Sequence, residues 1–133
     1  MMDLEVDRKK AEQVWHDLCT ADMSKDLDKV LELYSDDVIY QVSGFPPING
    51  KDALRSFSDG GLDSIEDLKW GVDRTEVSES GDLAYTSGWF NMKLVGKDDY
   101  LECKGILVYR KVSDEWKIVA ESYSSNSEAG RVF

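Results

Sequence analysis

Cysteine, histidine and proline are all scarce in this sequence. Its 133 residues include two cysteines, Cys19 and Cys103, one histidine, His16, and two prolines. There is no CxxC pair and no His/Cys spacing of the kind that binds a metal. We therefore expect no metal site and no cofactor. Both cysteines stand among apolar residues, which favours buried, reduced thiols over a disulfide.

Long apolar runs and an excess of positive charge are also missing. No stretch approaches the ~18 apolar residues of a membrane span, and the opening MMDLEVDRKKAEQ lacks the apolar segment of a secretory signal. The 16 basic residues face 27 acidic ones, for a net charge of -11. Nucleic acids and anionic membranes need clustered Lys and Arg. We expect no nucleic-acid partner, no membrane partner and a cytoplasmic location.

The first third of the chain has the pattern of short amphipathic helices. Residues 6–20 carry apolar side chains at three- and four-residue steps, which predicts a helix with His16 off the apolar stripe and in solvent. Ser24 is the predicted N-cap of a second helix. The inward faces of the two helices are predicted to carry Ala11, Val14, Trp15 and Leu18, then Leu27, Val30, Leu31 and Tyr34.

Strand patterns follow. The β-branched and aromatic run VIYQV predicts one strand within residues 36–43, and Pro46-Pro47 predicts a loop. Asn49 or Gly50 is placed to begin a third helix. Four strands at 67–78, 83–95, 100–111 and 116–125 are joined by short polar links, so they should be antiparallel neighbours. We predict one α+β domain, 1–133, with 126–133 as a mobile tail.

Three stretches carry a family resemblance: LYSDDVIYQVSGFPPINGKDALRSF, GDLAYTSGWFNMKL and KGILVYRKVSDEWKIVAESYS. In order and spacing they resemble the nuclear-transport-factor-2-like superfamily, the scaffold shared by ketosteroid isomerase and the SnoaL-like polyketide cyclases. The resemblance implies a curved antiparallel sheet wrapped around three N-terminal helices, forming a cone with a central pocket. The loop at Pro46-Pro47 would border the pocket mouth. Such a scaffold hosts many activities, so the resemblance alone does not assign one.

The residues of ketosteroid isomerase chemistry are not matched. By the resemblance, the base position falls at Val42, the helix tyrosine near Leu18 and the late-strand acid near Val108. All three are apolar and can neither accept nor donate a proton. We therefore expect no steroid isomerase activity.

Two acids remain as candidate bases. SnoaL-like cyclases use an acid deep in the cone, and the candidates here are Glu121 on the last strand and Asp73 on the first long strand. The simpler alternative places Glu121 on the convex face or in an ion pair with Arg110, since structural ion pairs are commoner than catalytic acids. Arg110, Asp73 and Glu121 could also form an epoxide-hydrolase-like set, although their spacing does not require it.

Aromatic residues are spread over helices and strands. Most should pack in the core, yet an aromatic-lined cone with a few hydroxyls also suits a small apolar ligand. The candidate pocket residues are Trp15, Tyr40, Phe57, Tyr85, Trp89 and Tyr109.

Both faces of the strands at 83–95 and 100–111 carry apolar side chains, while helices cover only one face. This favours a homodimer built through the other face of the long sheet. Functionally we expect a small-molecule-binding domain of undetermined activity. The alternative is an isomerase, cyclase or hydrolase acting on a small apolar carbonyl or polyketide-like substrate. A buried acid with a strongly raised pKa in the cone would favour the enzyme.

Overall fold

The computed structural model describes residues 3–127. Helix α1 spans Leu4–Ser24, and the Asp3 side chain caps it by accepting hydrogen bonds from the backbone N–H groups of Glu5 and Val6. The helix extends beyond the predicted 6–20 at both ends. It stops at Lys25, whose φ of 61° is left-handed, a common way for a helix to end.

Helices α2, Leu27–Glu32, and α3, Lys51–Ser58, complete the helical layer. The prediction that Ser24 caps α2 is wrong. Ser24 closes α1, and its hydroxyl donates to the carbonyl of Ala21 at 2.6 Å. Asp26 is the cap instead, because its carboxylate accepts a hydrogen bond from the Lys29 backbone N–H. Gly50 precedes α3 at a φ of 91°, which confirms that helix start.

Six strands form one curved, unclosed sheet with the order β2-β1-β6-β5-β4-β3. The strands are β1 Tyr34–Val42, β2 Ile48–Asn49, β3 Ile65–Val77, β4 Leu83–Leu94, β5 Leu101–Val112 and β6 Glu115–Ser125. The four long strands pair antiparallel as predicted, and the α+β class is confirmed. Two features were not predicted: the short strand β2, and the parallel pairing of β1 with β6.

A β-bulge in β6 reverses which side chains face the helices. The pairing steps from Tyr109↔Ile118 to Val108↔Ala120, so Val119 is an extra residue. Before the bulge the buried positions are Trp116 and Ile118; after it they are Tyr123 and Ser125. The bulge therefore turns Glu121 towards the concave side of the sheet. Without the extra residue, alternation would place Glu121 on the convex side.

The core lies between α1 and the concave side of the sheet. Trp15, only 4% exposed, packs against β4 at Gly88, where an added Cβ would lie 2.7 Å from the indole carbon Cζ2. No helix within residues 3–127 is long and apolar enough to cross a membrane.

The predicted tail begins at Asn126, whose backbone N–H donates to the Glu102 carbonyl at 2.8 Å, so the tail is not free at its start. Residues 128–133 lie outside the described part of the chain.

Candidate functional site

A cavity of about 470 Å³ lies between the concave side of the sheet and the helices. Phe45, which precedes Pro46-Pro47 in the loop, is part of the cavity wall, whereas neither proline is among the lining residues. Its walls are mainly apolar, and include Trp15, Leu18, Val30, Phe45, Leu54, Phe57, Leu62, Ile65, Leu68, Phe90, Met92 and Leu107. Such a cavity is the usual form of a small-molecule site.

Glu121 projects into this cavity from β6. Its Oε1 accepts a hydrogen bond of 2.5 Å from the hydroxyl of Tyr34, which stands at the start of β1 and is 3% exposed. Burial raises the pKa of Glu121 to about 7, and the hydrogen bond from Tyr34 opposes that rise. A carboxyl group with such a pKa can either accept or donate a proton at neutral pH.

Asp22 is a second acid in the cavity wall, and it was not predicted from the sequence. Burial, and then the nearby charge of Glu121, raise the pKa of Asp22 to about 8. The helix was predicted to stop at residue 20, so Asp22 was assigned to a link. It in fact continues the inward stripe of Trp15 and Leu18 at the next helical steps. An acid on the apolar stripe of a longer helix was the signal available in the sequence.

Two tyrosines form a hydroxyl pair in the same cavity. Tyr40 donates a 2.6 Å hydrogen bond to the hydroxyl oxygen of Tyr123, and each residue is 8% exposed. Their rings pack edge-on at 5.5 Å, and Tyr40 also contacts Phe57 at 5.8 Å. Burial raises the pKa of both tyrosines above their ordinary value. Both hydroxyls therefore keep their protons at neutral pH.

The structure brings together four of the eight predicted site residues: Trp15, Tyr40, Phe57 and Glu121 line the cavity. The other four do not, and their predicted positions are corrected as follows. Asp73 is the extra residue of a bulge in β3 and is exposed. Tyr85 and Trp89 lie on the convex side, where Trp89 is 38% exposed. Tyr109 is fully buried in the core, away from the cavity lining.

The alternative ion pair between Glu121 and Arg110 does not form, because Arg110 binds Asp37 at 3.1 Å on the surface. Arg110, Asp73 and Glu121 therefore do not come together as an epoxide-hydrolase-like set. His16 is half-buried rather than in solvent, and its Nδ1 accepts a hydrogen bond from the Trp70 indole at 3.1 Å.

Cys19 and Cys103 are free and buried as predicted, and burial raises the pKa of both thiols. Within residues 3–127 no group of His, Cys, Asp and Glu is arranged to hold a metal ion.

The three positions of ketosteroid isomerase chemistry remain apolar in three dimensions. Leu18 lines the cavity and Val42 is 4% exposed. Val108 lies on the convex side, so the register carried over from the resemblance was off by one there, and Leu107 is the inward residue. The acids of this cavity are therefore placed on other elements: the end of α1 and the middle of β6.

Comparisons with known proteins agree with this fold. The sequence matches the family profile described as SnoaL-like domain over residues 11–127. None of the curated proteins matches the sequence.

Among solved structures, a ketosteroid isomerase-like protein from Erwinia carotovora atroseptica superposes with a TM-score of 0.81 at 20% identity, covering 91% of this chain and 97% of the other. A candidate dehydratase of the nuclear-transport-factor-2-like family from Streptomyces avermitilis gives 0.77 at 15% identity, covering 92% and 99%. A protein with a cystatin-like fold from Nostoc punctiforme gives 0.78 at 14% identity, covering 96% and 97%. At these identities the likeness concerns the fold alone. Because the family profile covers most of the chain, the chain belongs to the family of SnoaL-like domains.

Proposed function

We propose that the cavity binds a small apolar carbonyl compound and that Glu121 removes a proton from the carbon next to the carbonyl. One observation carries this proposal. A carboxyl group with a pKa of about 7 is buried in an apolar cavity and held by a single hydroxyl, that of Tyr34. An unreactive binding domain has no need to bury an acid at that cost in stability, whereas a general base is most effective when its pKa is near the working pH.

The proton transfer can be followed atom by atom. The ionised Glu121 carboxylate takes a hydrogen from the carbon adjacent to the carbonyl. The C–H electron pair forms a carbon–carbon double bond while the carbonyl π pair moves onto the oxygen, and this gives an enolate. Tyr123 would donate to that oxygen, because its own oxygen already accepts from Tyr40 and its proton remains available to be donated. If a carbon–carbon double bond of the ligand is conjugated with the enolate, donation from Glu121 to its far carbon completes an isomerisation. In a simple ketone the proton returns to the original carbon, and in both cases there is no net change in protons.

The names of two structural neighbours are compatible with this chemistry. One is described as ketosteroid isomerase-like and another as a candidate dehydratase. Isomerisation and dehydration can both begin with removal of a proton from carbon. The neighbours share only the fold with this chain, so the proposal depends on the residues of its own cavity.

The proposal is tested by deuterium exchange at the carbon next to the carbonyl of 1-tetralone, a small apolar aromatic ketone. The protein is incubated with the ketone in D₂O, and incorporation is followed by mass spectrometry. We expect exchange above the buffer rate with the unmodified protein and none with Glu121→Gln. The control is Glu102→Gln, an exposed glutamate on β5, which should exchange as the unmodified protein does. Equal exchange by Glu121→Gln would exclude Glu121 as the base and leave a binding domain.

We also propose a homodimer formed through the convex side of the sheet. An apolar row crosses four strands there, because Tyr85 pairs with Val108, Val108 with Ala120, and Ala120 with Ile39. Beside it, Leu83 and Ile106 are each 47% exposed. A second copy of this chain is the simplest cover for such a row.

The two reduced, buried cysteines support a cytoplasmic location.

A further inference from the structure

The cavity holds two acids and no basic side chain. Asp22 and Glu121 both belong to its wall, while no lysine, arginine or histidine is among the lining residues in the part of the chain that the structure describes. None of the ion pairs found within residues 3–127 involves either acid. Glu121 has the Tyr34 hydroxyl as a partner, whereas no hydrogen bond to the Asp22 carboxyl occurs in that same part of the chain.

The position of Asp22 adds a second feature that favours a cation. Asp22 lies in the last turn of α1, and that turn contains no basic residue. The carbonyl groups at the C-terminal end of a helix carry partial negative charge, so a cation is stabilised there. The nearest lysine in sequence, Lys25, donates to the backbone carbonyls of Leu62 and Ile65 and forms no ion pair with Asp22 within residues 3–127. The negative end of the helix therefore has no side-chain cation of its own at Asp22.

The aromatic walls provide a third feature. Tyr40, Phe57 and Tyr123 form a connected group of rings, with centroids 5.8 Å apart for Tyr40 and Phe57 and 5.5 Å apart for Tyr40 and Tyr123. The face of an aromatic ring attracts a cation, and it also packs against an apolar group. An anionic ligand would instead meet two buried carboxyl groups and no compensating charge, which is costly in a medium of low dielectric constant.

We propose that the natural ligand carries a protonated amine, and that Asp22 is the residue that anchors it. The ammonium group would pair with the Asp22 carboxylate, and the apolar body would lie against the aromatic rings. This inference rests on the proposed function only in requiring that the cavity binds a ligand.

Three probes of one shape separate the effect of charge from that of the apolar body: naphthalen-2-ylmethanamine, which is cationic, naphthalen-2-ylmethanol, which is neutral, and 2-naphthoate, which is anionic. Their dissociation constants are measured by calorimetry at pH 7.5. We expect the amine to bind about tenfold or more tightly than the alcohol, the gain typical of a charge-assisted hydrogen bond. The naphthoate should bind most weakly.

Asp22→Asn keeps the shape of the side chain and removes its charge. It should abolish the preference for the amine. The dissociation constant of the alcohol should change by no more than about twofold, which is small beside the expected tenfold preference. The matched control is Asp17→Asn, an exposed acid on the same helix, which removes the same formal charge from outside the cavity. It should leave the preference for the amine intact, because solvent and salt screen its charge.

The pH dependence gives an independent test. Glu121 and the Cys19, Tyr34 and Tyr123 side chains share the surroundings of Asp22, and of these groups only the two carboxyls ionise near neutral pH. The amine should therefore bind more tightly at pH 8 than at pH 6, while binding of the alcohol should not change.

An alcohol that binds as tightly as the amine, or an amine preference that survives Asp22→Asn, would overturn the inference and leave the proposed function standing. No binding of any probe would overturn the inference and count against a ligand cavity of this kind as well. Circular dichroism of Asp22→Asn checks that the variant is folded.

Discussion

The Tyr34 hydroxyl lies 2.5 Å from Oε1 of Glu121 and joins the start of β1 to the middle of β6, 87 residues later in the chain. Within residues 3–127 the Glu121 carboxyl accepts no other hydrogen bond. It stabilises the ionised form and so lowers the pKa of Glu121 against the effect of burial.

Tyr34→Phe should therefore raise the pKa of Glu121 above about 7. The change removes one hydroxyl and keeps the ring, so the packing at this site is retained. The midpoint of the pH profile for 1-tetralone exchange should move to higher pH. Tyr40→Phe is the matched comparison, because it also removes a cavity hydroxyl but leaves the Tyr34–Glu121 bond in place. It should lower the rate without moving the midpoint, and a shift of equal size in both variants would contradict the assignment.

Glu121→Gln should stabilise the protein at alkaline pH. The pKa of Glu121 is raised from its ordinary value of 4.5 to about 7 in the folded protein, so the folded state binds more protons between these values. Stability contributed by the protonated group is complete below pH 4.5 and is lost as the pH rises through 7. The variant avoids this loss, and its free energy of unfolding at pH 8 should exceed that of the unmodified protein by on the order of 3 kcal/mol.

Urea unfolding at pH 5 and pH 8 measures this difference. Glu102→Gln, which alters an exposed residue on β5, should follow the unmodified protein at both pH values. A Glu121→Gln variant that is less stable at pH 8 than the unmodified protein would show that the carboxyl is not destabilised by burial.

Two glycines on neighbouring strands should differ sharply in their tolerance of alanine. A Cβ at Gly88 would lie 2.6 Å from the backbone oxygen of Gly71 and 2.7 Å from the buried ring of Trp15. The three atoms nearest to a Cβ at Gly71 all belong to the ring of Trp89, which is 38% exposed and can rotate away. We expect Gly88→Ala to cost about 1–3 kcal/mol of stability, as overpacked cores do, and Gly71→Ala clearly less. Thermal melts of the two variants compare them directly, and equal costs would mean that Trp15 is not held against β4.

The proposed dimer makes a further prediction. Ile106→Glu places a charge in the middle of the convex side and should give a monomer. Val95→Glu is the control, because Val95 is 61% exposed but lies beyond the end of β4. Light scattering at low and high salt should find a dimer for the unmodified protein that tightens with salt, since salt screens the repulsion of a net charge of -11. A monomer in both conditions would contradict the proposed interface.

The order of elements could be predicted from the sequence because each long strand and helix has a clear period of its own. The cavity could be predicted only in part, for two physical reasons. Strand alternation does not survive a bulge, so the inward side of β6 could not be fixed from a count of residues, and Asp73 could not be excluded. The last turn of α1 depends on tertiary packing and on a left-handed Lys25, so Asp22 was placed outside the helix. The sequence does contain a sign of the bulge in β6. Trp116 and Ile118 are at even positions and Tyr123 is at an odd one, so a regular strand could not turn all three side chains to the same face.

The pH dependence of deuterium exchange into 1-tetralone, measured from pH 5 to pH 9 with the unmodified protein and Glu121→Gln side by side, tests the central claim most directly. A base that acts as its carboxylate gives a rate that rises with pH and levels off above its pKa. We predict a protein-dependent rate that rises with a midpoint near 7, the pKa of Glu121, and that is absent in the variant. A rate that does not depend on pH, or one that Glu121→Gln retains, would contradict the claim that this buried carboxyl moves the proton.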